Sequence, residues 1–359
     1  MKNLNYQKIK YKLKYILIIF IPIIIIGIGV LLTIKSKNNE DTLKRIKAIE
    51  IVEVQKIHNI LLDDVLSVTS DLMYLSQNFQ FNKYLNGQLK DLNGIEEDFL
   101  LFSKNKKTYS QIRYIDESGM EIVRINYNKG DPYIVKKENL QNKVNRYYFK
   151  DTIILDEKKI FLSKFDLNIE NGSIEFPYKP TLRFATPVFD SEGRRKGIVV
   201  INYFGEELLD NINKKLQIQE EALPFLIDEN SYYLKSVEKN KEWGFMLEDR
   251  KDLNFKNDSP EVWKQIQKKN FGSVYQNKIL YTYNKIYPNK TNNKNYYWII
   301  FTKAHVSKYE HENNFIFFQR VLFLIIIALL LSIIYSNSKY SKYEHSRVLL
   351  KKKEELNKK

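Results

Sequence analysis

Arg146 is the residue of this chain whose chemistry is easiest to read. It begins the sequence Arg-Tyr-Tyr-Phe. Its planar guanidinium can donate two parallel hydrogen bonds to a carboxylate, which a lysine ammonium cannot do. The alternative interpretation is an ion pair with a carboxylate of its own domain. Arg146 therefore indicates either a site for an anionic ligand or a structural salt bridge.

The residue types that usually carry out catalysis do not form a set. The sequence has no Gly-rich phosphate loop, no GxSxG, no HExxH and no cysteine. Four histidines share no metal-ligand spacing: His58, His305, His311 and His345. His345 could accept a phosphate, but no ATP-binding domain accompanies it. We therefore expect no catalytic residue, no metal and no cofactor. An enzyme in the central region ranks third among the interpretations.

Four charged residues, two of each sign, lie around one predicted hairpin, whose turn runs from Asp116 to Gly119. The pattern favours cross-strand ion pairs that fix the register of the hairpin. It predicts this structural role, and no ligand contact, for Arg113, Asp116, Glu121 and Arg124.

The elements around these residues alternate between strands and helices. Two predicted hairpins, SQIRYIDESGMEIVRINYN and TLRFATPVF with GIVVINYF, flank a helix-like segment that contains Arg146. A helix, GEELLDNINKKLQ, precedes a smaller second round of strands with a helix near 260–269. The pattern predicts an α+β fold: a long helix followed by two α/β modules with antiparallel sheets.

The long helix is predicted before the first hairpin. Apolar residues recur at alternating steps of three and four, which places them in one stripe: Val54, Ile57, Leu61, Val65, Val68, Leu72 and Leu75. Such a stripe most often packs on its own domain. The seven-residue repeat within it also allows a second use, as the contact between two copies of the helix in a homodimer.

Two uncharged apolar stretches bracket this central region. The first, at 15–34, is long enough for a helix to cross the hydrocarbon core, and the second spans it when 315–318 are included. Lysines crowd the short outer flanks, so both ends are expected in the cytoplasm and residues 35–314 outside. A cleaved signal peptide is the alternative for the first stretch.

The net charge of +15 does not indicate a nucleic-acid partner. Each end segment carries an excess of five positive charges, so only a third of the total belongs to the rest of the chain. The basic ends are therefore topology signals that also favour anionic lipid.

In this order the segments resemble the double Cache family, the paired PAS-like sensor modules found outside the membrane in bacterial chemoreceptors, sensor kinases and cyclic-di-GMP enzymes. The resemblance covers most of residues 38–305. The long helix carries it together with RYIDESGMEIVRI, the Arg-Tyr-Tyr-Phe sequence, ATPVFDSEG with GIVVINY, and the late GSVY, LYTYNKI and YYWIIFTK.

The resemblance implies a ligand site in the membrane-distal module. In members that bind amino acids, an Arg and the Trp-Tyr after it hold the ligand carboxylate, and a loop Tyr and a strand Asp hold the ammonium. The order along this chain gives, in turn, Arg146, Tyr148 with Phe149, Asp166 and Asn202. Asn202 offers an ammonium no negative charge, so an α-amino acid remains an alternative only through Asp166.

The implied ligand is a polar or anionic small molecule, which Lys143 and Arg183 also help to hold. Asp166 and Asn168, next to Asn171 and Gly172, have a second interpretation as turn residues.

The predicted order is a basic cytoplasmic tail at 1–14, a span at 15–34, a long helix at 35–85, the membrane-distal module at 86–212, the membrane-proximal module at 213–312, a span at 315–335 and a juxtamembrane helix at 336–359. This organisation predicts a cell-membrane receptor, expected to be a homodimer, from a histidine kinase, diguanylate cyclase or chemoreceptor. Because the chain ends at Lys359, we expect the signal to reach a cytoplasmic partner or an output domain absent from this chain. The alternative is a membrane-anchored adhesion or scaffold protein, which would present a flat apolar patch instead of a closed polar pocket.

Overall fold

The computed structural model describes residues 2–170, 172–216, 224–288 and 295–356. Its helices are α1 (Lys2–Ser76), α2 (Phe79–Leu85), α3 (Asn93–Lys106), α4 (Tyr147–Ile153), α5 (Gly205–Leu216), α6 (Phe255–Asp258), α7 (Pro260–Ile266) and α8 (Ser307–Leu356). Its strands are β1 (Tyr109–Asp116), β2 (Glu121–Asn126), β3 (Tyr133–Ile134), β4 (Phe161–Leu162), β5 (Asp166–Leu167), β6 (Ile169–Glu170), β7 (Ser173–Ile174), β8 (Pro180–Phe189), β9 (Arg195–Phe204), β10 (Phe225–Ile227), β11 (Tyr233–Lys235), β12 (Phe271–Gln276), β13 (Ile279–Ile286) and β14 (Trp298–His305).

The chain divides into two compact units. One unit contains 49–304, and the other contains the two ends, 1–48 and 305–359. In the unit of the two ends, α1 and α8 each contain a stretch long and apolar enough to cross a membrane. The two helices touch where Gly27 faces Leu324, and a Cβ atom added at Gly27 would lie 2.5 Å from Leu324 Cδ2. Only glycine fits this contact without a shift of the leucine.

The larger sheet of the central unit has the strand order β3-β2-β1-β9-β8-β4, and β5 also pairs with β8. Both predicted hairpins are confirmed, because β1 pairs antiparallel with β2 and β8 antiparallel with β9. Successive side chains of a strand point to opposite faces of the sheet. In β9, Val199 and Ile201 therefore pack with α1 on one face, and Ile198 and Val200 pack with α4 on the other.

The smaller sheet has the order β11-β10-β14-β13-β12. Phe255, Val262 and Ile266, from α6 and α7, pack on one face of it around Tyr233 and Phe301. The predicted fold class is confirmed: a long helix and two modules with antiparallel sheets form an α+β structure. The boundaries of the predicted segments stay predictions.

The apolar stripe of α1 is buried in the core of its own chain. Val54, Leu61, Val68 and Leu75 are each at most 2% exposed, and they pack with residues of the larger sheet. The prediction that this stripe faces a second copy in a homodimer is therefore wrong. The seven-residue repeat is real, but the sheet already covers the surface that it defines.

The helix ends before the hairpin region begins. α1 stops at Ser76, and Asn78 starts α2 by accepting hydrogen bonds at its side-chain oxygen from the backbone N–H groups of Gln80 and Phe81. An asparagine in this position satisfies N–H groups that the first helical turn leaves free. α2 and α3 then lead to the first strand of the larger sheet at Tyr109.

Candidate functional site

Five polar residues form a row across four strands of the larger sheet. The register places Arg124 opposite Arg113, and Asn202 opposite both Gln111 and Arg183. Side chains two residues apart share a face of a strand, so the row runs across β2, β1, β9 and β8 on one face. The adjoining part of that face is apolar and packs on α4 through Ile115, Ala185, Ile198, Val200, Tyr148 and Phe149.

Arg113 lies at the centre of the row and is only 3% exposed. Its guanidinium donates to the Tyr148 hydroxyl at 2.9 Å through Nη1 and to the Asn202 side-chain oxygen at 2.7 Å through Nη2. Its Cζ atom also lies 5.2 Å from the centre of the Tyr148 ring. Asn202 in turn donates to the Gln111 side-chain oxygen at 3.1 Å. The two residues that hold Arg113 therefore come from α4 and β9.

Glu121 neutralises part of the charge in this row. Its side chain is fully buried, and its carboxylate lies 3.5 Å from both Arg113 and Arg124 and 3.8 Å from Lys143. The prediction of cross-strand pairs is confirmed for Arg113 of β1 and Glu121 of β2, which form an ion pair between the two strands. The residue directly opposite Arg113 in the register is nevertheless Arg124 and not an acid. Asp116, the fourth member of the set, caps its own turn by accepting from the N–H groups of Ser118 and Met120.

The row and the side chains that contact it form one polar network, which runs from Arg124 and Glu121 through Arg113 and Asn202. Arg183 and Asp166 form its other end. Their charged groups lie 2.8 Å apart, and Arg183 also donates to the Asn168 side-chain oxygen at 3.0 Å. The Tyr147 hydroxyl lies 3.4 Å from both residues. Burial raises the pKa of Asp166, and the neighbouring Arg183 guanidinium opposes that rise.

Arg146 and Lys143 lie where the network approaches the surface. Arg146 directly precedes α4, and its guanidinium lies 5.9 Å from the Tyr148 ring centre. Tyr148 thus has two arginines near its ring. Lys143 is partly buried, and loss of hydration lowers the pKa of its ammonium, although Glu121 opposes this. A buried ammonium of this kind gains stability from any additional anion nearby.

The structure brings six of the seven predicted site residues into one network: Lys143, Arg146, Tyr148, Asp166, Arg183 and Asn202. Phe149 instead belongs to the apolar cluster under α4 and is 3% exposed. The ligand-binding role of all seven stays a prediction.

The sequence did not predict Arg113, Arg124 and Glu121 as part of the site. A β-bulge lies between Tyr114 and Ile115, and without this bulge Arg113 would stand opposite Val123. The hairpin pattern does not show the extra residue, so it does not show that two arginines meet. The sequence did offer one signal for this meeting of arginines: each of the two paired buried strands contains an arginine.

A cleft of about 790 Å³ adjoins the Asp166 end of the network. Tyr147, Phe161 and Asp166 line it from the larger-sheet module, and Glu229 and Tyr296 line it from the smaller-sheet module. Lys164 and Asp151 also line the cleft. The Lys164 ammonium, the Tyr147 hydroxyl and the guanidinium of Arg183, which contacts Tyr147 and Asp166, can hold an anionic group there.

This fold and this polar network define a two-module sensory domain. Residues 61–300 match the family model for the sensor domain of bacterial histidine kinases, and the chain belongs to this family. The family is one of sensor domains and not of catalytic domains. No curated protein matches the chain.

Solved structures agree with the family. The extracellular domain of vpHK1S-Z8, a protein described as a histidine kinase, is 22% identical with a TM-score of 0.64, over 76% of this chain and 95% of that one. A domain of a Vibrio parahaemolyticus protein described as a sensory box/GGDEF family member is 23% identical with a TM-score of 0.64, over 75% and 99%. The ligand-binding domain of the Campylobacter jejuni chemoreceptor Tlp3, in complex with L-valine, is 12% identical with a TM-score of 0.53, over 76% and 95%.

These are double Cache-type sensory domains, so the resemblance drawn from the sequence is confirmed.

Proposed function

We propose that this protein is a cell-membrane receptor that senses a small polar or anionic molecule outside the cell through its larger-sheet module. The buried network around Arg113, Tyr148 and Asn202 carries the proposal. A buried guanidinium and its donors hold a small anion well because little water competes there. The family supplies the setting, since its members are sensor domains.

The two apolar helices support the membrane part of the proposal. Each lies at one end of the chain, on either side of the sensor domain, and each is long enough to cross a bilayer. In the proposed receptor both ends lie in the cytoplasm, and the protein acts as a homodimer with a cytoplasmic signalling partner. A ligand can change the signal only by binding more tightly to one of two states of the receptor.

A ligand screen with an arginine variant tests the proposal. We expect at least one small metabolite to raise the unfolding midpoint of the full chain in detergent, and Arg146→Ala to remove that increase. The loss in binding should be on the order of 2–5 kcal/mol if ligand and arginine form a buried pair.

Arg194→Ala is the matched control, because Arg194 lies in the β8–β9 turn with its side chain 63% exposed. This variant should bind the metabolite normally. A screen of acids, amino acids, sugars and amines in which nothing stabilises the chain would contradict the proposed sensor function.

A further inference from the structure

The network on the sheet face contains more positive than negative groups. Its cationic side chains are Arg113, Arg124, Lys143, Arg146 and Arg183. Its carboxylates are Glu121, Asp166 and Glu170. Five positive groups therefore meet three negative groups. The nearby pair of Glu175 and Lys179 is neutral and leaves the difference unchanged.

The excess is most costly between Arg113 and Arg124. These residues stand directly opposite each other in the sheet, at 3% and 6% exposure, and like charges in that position repel. Glu121 is the only carboxylate of the described residues within ion-pair distance of Arg113, and it must be shared among three cations. Within the same described part of the chain, Arg113 Nε and Glu121 Oε1 are buried without a hydrogen-bond partner. A further anion would relieve this repulsion.

The carboxylates of the network already have cationic partners. Asp166 is held by Arg183 at 2.8 Å, and Glu121 lies among Arg113, Arg124 and Lys143. At the strand position where the amino-acid-binding pattern has an aspartate, Asn202 is uncharged, and its oxygen accepts from Arg113. An ammonium group would therefore have to compete with an existing cation for each acid.

We infer that the ligand is a small organic dianion without an ammonium group, of which a dicarboxylate is the simplest kind. The inference rests on the proposed ligand-sensing function and names the class of ligand. The ligand supplies the two negative charges that the network lacks, and the neutral Asn202 and the paired Asp166 disfavour zwitterions. This preference differs from that of the chemoreceptor domain solved with L-valine.

Matched pairs of acids test the inference on the full chain in detergent. The probes are succinate with L-aspartate and glutarate with L-glutamate, since each pair differs only in the amino group. L-Valine is added as a zwitterion, and the ionic strength is held constant to remove general screening. We expect one dicarboxylate to bind at least about tenfold more tightly than its amino counterpart, because the ammonium adds a repulsive charge among the arginines.

Equal or tighter binding of the amino acids overturns the inference but leaves the sensor function intact. Absence of binding by both dicarboxylates overturns the inference too. The proposed function falls only if the wider metabolite screen also finds no ligand, so the two failures are distinguishable.

Asn202→Asp tests the charge argument, because it removes half of the excess. We expect the affinity for the dicarboxylate to fall about tenfold or more, and the preference over its amino counterpart to narrow. The control is Asn105→Asp, which adds the same charge at an exposed position of α3. Equal losses of dicarboxylate affinity in the two variants would mean that the net charge of the protein, and not the charge at the site, determines binding, which would overturn the inference. An unchanged affinity in Asn202→Asp would overturn it too.

Lys143→Gln gives an independent test. The Lys143 side chain is 15% exposed, so a substitution there should disturb folding less than one at the more deeply buried Asn202. It removes one cation and should weaken dicarboxylate binding in the same direction. Unchanged affinity in this variant would count against the charge excess as the source of selectivity.

Discussion

Glu121 is the residue on which the charge balance of the larger-sheet module depends. Glu121→Gln keeps the size of the side chain but leaves Arg113, Arg124 and Lys143 without its charge. Breaking a buried ion pair from one side typically costs about 3–5 kcal/mol. We expect the variant to be destabilised by about that amount, measured by denaturant unfolding of the full chain with tryptophan fluorescence.

The control for this prediction is Glu192→Gln. Glu192 pairs with Arg194, and both side chains are more than 60% exposed. Exposed pairs contribute at most about 1 kcal/mol. A loss in Glu121→Gln no larger than that of the control would show that Glu121 is not needed to hold the arginines.

Asp228 gives the protein a pH-dependent stability. Its carboxylate accepts from the N–H groups of Asn230 and Tyr232, and burial raises its pKa to about 7. The folded state therefore keeps a proton that the unfolded state loses near its ordinary pKa of about 4. As the pH rises from about 4 to about 7, this residue should make folding progressively less favourable.

Unfolding midpoints measured across that pH range check this contribution. Asp228→Asn has no proton to lose and its oxygen can still accept, so its stability should fall less steeply with rising pH. Asp116→Asn is the control, since Asp116 accepts similar turn hydrogen bonds in the other module. A slope in Asp228→Asn equal to that of the unmodified chain would contradict the assignment.

At the residue scale, the order of residues along the chain predicted Arg146 and its companions as a ligand site, and that role stays a prediction. The same order did not reveal Arg113, because the role of this arginine depends on one inserted residue in the neighbouring strand. Local pattern gives the residue types of a hairpin, whereas the bulge depends on packing with the rest of the sheet. The ring of Tyr148, which was predicted as a ligand contact, has the guanidinium groups of Arg113 and Arg146 at 5.2 and 5.9 Å from its centre.

At the scale of elements, the contact between α1 and α8 can be tested directly. The chain has no cysteine, so a disulfide can be introduced without interference. Gly27→Cys with Leu324→Cys should cross-link under mild oxidation, because a side chain at Gly27 points at Leu324. Gly29→Cys with Leu324→Cys is the matched control, since a Cβ atom at Gly29 meets nothing within 4 Å.

Cross-linking is read as a mobility change on a denaturing gel, reversed by a reducing agent. Equal cross-linking in the two pairs would mean that the helices do not pack through Gly27.

The elements themselves were largely predictable because their periodicities are local. The apolar stripe of α1 predicted a helix and the face that it buries, and that face is buried. The periodicity did not reveal what covers the stripe. A second copy and the sheet of the same chain require the same apolar residues, so the sequence left both open.

At the scale of the whole molecule, the order of segments predicted the two modules, but their mutual packing was not visible. Phe165 of the larger-sheet module packs on Trp243 and Trp298 of the smaller-sheet module, and its N–H donates to the Tyr296 hydroxyl at 2.8 Å. These partners are far apart in the sequence. No local pattern pairs them, so contacts of this kind have to be read from the structure.

The basic ends of the chain predict how it is arranged in the membrane. Lys2, Lys8, Lys10, Lys12 and Lys14 precede the first apolar stretch without an acidic residue among them. Short flanks rich in lysine remain in the cytoplasm, so we expect the sensor domain outside and both ends inside. A protease added to intact cells should then cut the exposed segment 104–107 at the end of α3, while tags at both ends stay intact.

Permeabilised cells are the control, because there the same protease should remove both tags. The two tags also test each span separately: loss of the N-terminal tag alone in intact cells would place the first end outside, and loss of the C-terminal tag alone would place the second end outside. Either result would contradict a receptor whose ligand site and signalling end lie on opposite sides of the membrane. Protection of both tags together with cleavage at 104–107 is the outcome that the receptor requires, since a ligand outside must then act through α1 and α8.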